Sequence, residues 1–300
     1  MDAKTALARL GDVAAQGGPL LGRLWDGAKR ARAELAGRLL AHDFEERVAT
    51  LNARYRAAGD PFGFDPDTAR MAVTLCAFFH RLYFRTEVFG VGNVPQGRAL
   101  LIANHSGQVP IDAAIIGCAM FLDATPVRVM RAMVDKWTAT LPFVSTFFNR
   151  VGQVVGLPEN ARRLLELDEL LHAFPEGVGG VSKPFSRRYE LEEFGLGFMR
   201  LAIETQTPIV PVAVIGAEEQ YVSLGNLSWA ARALNLPVFP LVPQLLPLPT
   251  KYRIYFGEPM RFYGDPDDDE SVIADKVWLV RQTIAHLLSH GLRARRGVFF

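Results

Sequence analysis

Cysteine is scarce in this chain. Cys76 and Cys118 are the only two in 300 residues, both inside apolar segments with no partner motif. That excludes a disulfide framework and a cysteine-built zinc site, and it points to a reducing compartment. An excess of charge is missing too. Thirty-three Lys and Arg oppose 32 Asp and Glu, for a net charge of +1, so nothing global calls for nucleic acid. Long apolar runs are also lacking. A membrane-spanning helix needs about 18–20 consecutive apolar residues. The longest candidates, residues 71–84 and 113–122, are shorter, and His80 and Arg81 interrupt the first. The opening Met1-Asp2-Ala3-Lys4 does not have the basic-then-apolar layout of a signal peptide, which implies a cytoplasmic setting. There is no internal repeat and no low-complexity linker. The chain is long enough to bury a large core, as one domain or as a domain with an appendage.

What is present divides by periodicity. Leu35, Leu39, Phe44, Val48, Leu51 and Tyr55 recur near helical spacing, with Arg38, Glu45, Glu46 and Arg54 between them. Gly59-Asp60-Pro61-Phe62-Gly63 stops that helix, and Asp65-Pro66 restarts the chain. Residues 71–84 are apolar nearly all round, which implies a helix buried on the main domain; a helix lying on a membrane surface is the alternative. From Phe89 onward, short apolar runs alternate with helical patterns. Residues 127–130, 170–174, 209–215 and 252–256 read as strands, with helices near 160–167 and 194–204. The alternation predicts an α/β fold, a mainly parallel mixed sheet flanked by helices. The organisation expected is an N-terminal helical region over 1–85 and the main α/β domain over 86–300. A final helix over 271–289 follows an acidic run and precedes Arg293, Arg295 and Arg296, charges that complement a helix dipole.

The chemistry concentrates in three places. First, Leu101-Ile102-Ala103 delivers Asn104-His105 into a Ser/Gly/Gln/Pro loop, and Asp112 opens the next apolar segment. A neutral imidazole can take a proton from a hydroxyl if a carboxylate fixes its tautomer. The plain alternatives are a loop histidine and a helix-start aspartate. Second, Phe174-Pro175-Glu176-Gly177 ends a strand on a carboxylate turn, where α/β sites gather. Third, Phe148-Asn149-Arg150-Val151-Gly152 lies between these two, and the apolar run Val210-Pro211-Val212-Ala213-Val214 follows them.

In this order the motifs resemble the glycerophospholipid acyltransferase family, including the lysophosphatidic acid acyltransferases, over roughly residues 85–260. Six residues separate His105 from Asp112 where that family usually has four, as in a lengthened version carried by some diacylglycerol-type relatives. The resemblance implies His105 as base and Asp112 as its orienting partner. It implies that Glu176, Gly177 and Arg150 position the acceptor, and that residues 210–214 floor the pocket. A surface ion pair is the other explanation for Arg150. Gly179 stands where the family usually carries an acceptor-phosphate Arg, so Lys183 and Arg187 become the candidates to replace it, unless they form a solvated charge run. The co-substrate would be acyl-CoA or acyl-carrier protein, with a lipid acceptor, a membrane surface as partner, and no metal or redox cofactor. The Pro-rich residues 234–249 would line an acyl groove, dip into a membrane, or pack on their own sheet. A non-catalytic lipid-binding protein on the same fold is the main rival. A serine hydrolase is weaker, since Ser106 and Ser182 lack a Gly-x-Ser-x-Gly frame.

Overall fold

A computed structural model describes residues 26, 30, 34–105, 111–225, 227, 229, 231, 239 and 241–300. The chain divides into two compact units, Met1–Asp43 and Phe44–Phe300. In the first, residues 34–39 are helical, with Glu34 and Arg38 paired at 2.7 Å one turn apart. The second unit opens with helices α1 (Phe44–Ala58) and α2 (Pro66–Phe78), the latter ending in a π-helical turn over Phe79–Tyr83. Asp65 caps α2 by accepting the Thr68 N–H at 3.2 Å, and Pro66 occupies the first helical position, where its missing N–H is harmless.

The unit is built around seven strands: β1 (Glu87–Phe89), β2 (Ala99–Ala103), β3 (Met130–Val134), β4 (Val154–Val155), β5 (Leu170–Ala173), β6 (Ile209–Ile215) and β7 (Arg253–Phe256). Their order across the sheet is β1-β7-β6-β2-β5-β3-β4, and all neighbours run parallel except β6 and β7. Helices cover both faces, as a mainly parallel sheet requires. Strand β2 shows why: Leu100 and Ile102 enter one core, while Ala99, Leu101 and Ala103 enter the other. The first core is closed by α5 (Pro158–Glu166), α7 (Gly197–Glu204) and α8 (Glu270–Ala294), the second by α3 (Ile111–Leu122). Two shorter helices complete the set, α4 (Val144–Arg150) and α6 (Val178–Ser182).

Three differences from the sequence expectations have physical causes. The compact unit begins at Phe44 rather than at 86, because α1 and α2 pack onto α3: the Phe44 and Phe121 rings lie 5.8 Å apart, and the Cys76 thiol meets the Ala114 carbonyl at 3.5 Å. Strand β3 begins at Met130 and runs through the buried Arg131, whose charge disguises it; Asp60 neutralises it at 3.0 Å. Helix α2 is not buried all round. Ala69, Ala77 and His80 face inward, while Met71, Leu75, Phe78 and Leu82 form an exposed stripe at helical spacing. Among the described residues, no helix is long and apolar enough to cross a membrane.

Candidate active site

Parallel pairing of β5, β2 and β6 places their C-terminal ends side by side. The first residue beyond β2 is Asn104, and its buried carboxamide imitates a peptide. It accepts the Val214 N–H at 2.8 Å and donates to the Val214 carbonyl at 3.1 Å, carrying the ladder past Ala103↔Val212. His105 comes next. Its backbone N–H donates to Glu176 Oε1 at 2.8 Å, which pins the loop after β2 to the turn after β5. The imidazole Nδ1 lies 2.9 Å from Asp112 Oδ2, with 12% of the His105 side chain exposed and none of Asp112. Asp112 sits in the first turn of α3, where its other oxygen accepts the Ala113 N–H at 2.8 Å and the helix dipole favours its anion. With the proton on Nδ1, the Nε2 lone pair is the one left for chemistry. The connecting loop expected from Gly107 and Pro110, and Ser106 with it, lies outside the described residues.

Glu176 faces inward. Its Oε1 takes the His105 amide, and its Oε2 accepts the Glu192 N–H at 2.9 Å and Lys183 Nζ at 3.3 Å. Lys183 is buried too, its side chain 3% exposed, and it donates to the Glu190 carbonyl at 2.8 Å and to Glu218 Oε1 at 3.4 Å. All three ammonium donor positions therefore have acceptors. Two carboxylates around one cation leave a buried net negative charge. Burial accordingly raises the Glu218 carboxyl to about 7, aided by Glu176 and opposed by Lys183 and the Tyr189 N–H. Gly177 takes φ +53°, and its N–H closes the turn onto the Phe174 carbonyl at 3.1 Å. Gly180 is forced by packing: a Cβ there would lie 2.7 Å from the His105 Cβ and 3.1 Å from that of Glu176.

The structure thus brings together His105, Asp112, Glu176, Gly177 and Lys183. Glu176 and Lys183 both have internal partners, and Glu176 ties the His105 backbone to the turn after β5. Arg187 stays half-exposed, paired with Glu190 at 2.9 Å and Glu192 at 3.0 Å. Arg150 ends α4, exposed, where its carbonyl accepts the Asp65 N–H at 2.9 Å. Among the described residues, no hydrogen bond or ion pair joins it to the His105 cluster. Sequence reasoning missed Asn104 as a clamp, Glu218 as the second carboxylate, and His172. The last is fully buried beside the dyad, and burial, then the nearby His105, hold its imidazole down to about 3 despite Asp112, so it stays neutral. A second His–Asp pair, His80 with Asp123 at 2.9 Å, is different in kind: His80 is wholly buried and Asp123 is shared with Arg81, which makes it a brace at the end of α2.

Comparison with known proteins gives the family and the fold. Residues 85–215 match the family described as Acyltransferase. The chain belongs to that family. It is 38% identical over 279 residues to an uncharacterized protein of Mycobacterium tuberculosis, covering 86% of this acyltransferase-family chain and 78% of that one. It is 26% identical over 193 residues to a mouse protein described as a DGAT1/2-independent enzyme synthesizing storage lipids, covering 63% of this chain and 56% of that one. The fold is that of the crystal structure of the 1-acyl-sn-glycerophosphate acyltransferase from Thermotoga maritima, at a TM-score of 0.52 and 17% identity, covering 85% of this chain and 95% of that one.

Removing Lys183 would leave Glu176 and Glu218 facing each other without a counter-ion. Breaking a buried pair in this way costs about 3–5 kcal/mol. Lys183→Met should therefore lower the urea-derived unfolding free energy by that order, whereas unchanged stability with a raised acceptor KM would mark Lys183 as an acceptor ligand. Glu218 and His172 make opposite contributions to the pH dependence of stability. The Glu218 carboxyl is raised from 4.5 to about 7, so its contribution is full below the lower value and lost as pH rises through the upper one. The His172 imidazole is lowered from 6.5 to about 3, so its contribution is full above 6.5 and lost as pH falls toward 3. Between about pH 4.5 and 6.5 the two oppose each other, so unfolding midpoints should change little there, and Glu218→Gln should expose the His172 contribution as a rise with pH. An unaltered slope would show that Glu218 does not titrate there.

Proposed function

We propose that this protein transfers a fatty acyl group from an acyl thioester to a hydroxyl of an uncharged glycerolipid at a membrane surface. The observation that carries the chemistry is the 2.9 Å contact between His105 and Asp112 at the C-terminal edge of the sheet. His105 Nε2 takes the acceptor hydroxyl proton as the oxygen attacks the thioester carbonyl carbon. Backbone amides near the start of α3 steady the tetrahedral oxyanion. Its collapse breaks the carbon–sulfur bond, and the departing thiolate recovers the proton from the imidazolium. Asp112 holds the tautomer throughout and stabilises the transient cation. No covalent acyl-enzyme, metal or redox cofactor is needed. Acyl-CoA and acyl-carrier protein both supply the thioester this chemistry requires.

An uncharged acceptor is supported by the charges around the site. Gly179 brings no guanidinium, Lys183 is enclosed by carboxylates, and Arg187 is paired. A phosphorylated acceptor taken up by Lys183 or Arg187 would have to break one of those pairs. The storage-lipid description of the mouse relative points the same way.

Contact with a membrane is supported by exposed apolar side chains on α2 and on the Pro-rich segment. Met71 and Leu75 are 64% and 69% exposed and Leu245 is 93% exposed. The Tyr83 hydroxyl donates to the Pro247 carbonyl, which ties the end of α2 to that segment. Residues 234–238 and 240 of the segment lie outside the described residues. Burying apolar surface contributes about 25 cal/mol per Å², so a stripe of this kind suits a helix lying in the plane of an interface.

Thiol release from acyl-CoA and from acyl-carrier protein, measured over a panel of acceptors, tests the activity. A diacylglycerol or monoacylglycerol should outperform lysophosphatidic acid, and His105→Ala should reduce turnover to background with the fold intact. Lipid binding without thiol release would favour a non-catalytic lipid carrier. In vesicle flotation, Met71→Ser with Leu75→Ser should weaken binding several-fold while leaving activity on a short-chain soluble acceptor. Unchanged flotation would remove α2 from the membrane contact.

A further inference from the structure

Phe174 precedes the Pro175-Glu176-Gly177 turn, and none of the steps above uses its ring. That ring lies flat against the His105 imidazole, with centroids 3.7 Å apart and planes within 6°. It also meets His172 at 90°, centroids 4.4 Å apart. His172 is buried, and its Nε2 has no hydrogen-bond partner among the described residues. An unpaired buried nitrogen is a free-energy cost that Leu or Phe at 172 would avoid. An imidazole at this position therefore calls for a reason beyond filling space.

The bonds to Asp112 and Glu176 leave His105 one loose coordinate. The Glu176 bond fixes the backbone, and Gly180 fills the space beside Cβ. The Nδ1 hydrogen bond sets the direction of the ring, but such a bond tolerates tilts of about 30°. A flat ring at van der Waals distance does not tolerate that tilt. It also offers a π face to the cation that forms when the base takes its proton.

We propose that Phe174 is a positioning residue for His105, with His172 set perpendicular to it as a brace. The three rings together fix the plane from which Nε2 meets the acceptor hydroxyl. The proposal rests on His105 being the base.

The test compares Phe174→Leu, which keeps apolar bulk without a flat face, with Phe174→Tyr, which keeps the face. Kinetics are read alongside the downfield proton resonance of the His105 Nδ1–H. Phe174→Leu should lower kcat about tenfold to hundredfold, the loss typical of misoriented catalytic groups, with KM nearly unchanged and the resonance broadened. Phe174→Tyr should restore both toward wild type, and His172→Leu should act in the same direction as Phe174→Leu but less strongly. A Phe174→Leu enzyme with wild-type kcat and a sharp resonance overturns the positioning role while His105→Ala remains inactive. If His105→Ala itself retains turnover, the base assignment fails, and the positioning proposal fails with it.

Discussion

Strand β2 is hydrogen-bonded along both edges to strands running in its own direction, and the rest of the site depends on that constraint. Ile102 is level with Ala173 and Ala103 with Val212. Two residues past those rungs, loops from three distant parts of the chain must share one edge. His105 and Glu176 meet across 71 positions of sequence for this reason. In an antiparallel pairing neighbouring strands would end at opposite edges of the sheet, and the amide-to-carboxylate pin could not form. Apolar burial on both faces keeps the register from slipping, since a one-residue shift would exchange the two cores.

Beneath the dyad lies a layer of buried charge that costs desolvation and returns geometry. Lys183 holds two carboxylates, Glu176 holds two backbone amides, and Glu218 holds a third at Tyr189. Such arrangements contribute little net stability compared with apolar packing, but they penalise any rearrangement that leaves one partner alone. Loops built this way stay in one conformation without being part of the sheet. That separates the work inside the cluster: the inner charges shape the loops, while His105 retains its limited access to solvent.

The parts of this arrangement written in local pattern were legible beforehand. Residues 209–215 are uniformly apolar and became the fully buried β6, and Asp65-Pro66 started α2 where a cap followed by proline should. The family resemblance singled out His105 and Asp112, and their side chains do meet. What was not legible depends on partners far away in sequence. Arg131 makes β3 look unlike a strand until Asp60 neutralises it. Lys183 looks like one member of a surface charge run until Glu218, 35 positions later, closes over it. An apolar helix such as α2 carries no local mark distinguishing its packed face from its exposed one. The start of the compact unit at Phe44 was hidden likewise, because the contact of α1 with α3 has no signature in α1 itself.

Neighbouring glycines in α6 are under unequal restraint. At Gly180, any side chain would push on the carbon that carries the imidazole. At Gly179, a Cβ would find only the Glu192 side chain, at an ordinary 3.6 Å, and its backbone needs no left-handed geometry. Substitution is therefore sterically closed at one position and open at its neighbour. The open one is where the resemblance would place an arginine. A side chain at the half-buried position 179 would therefore leave the packing against His105, one residue away, undisturbed.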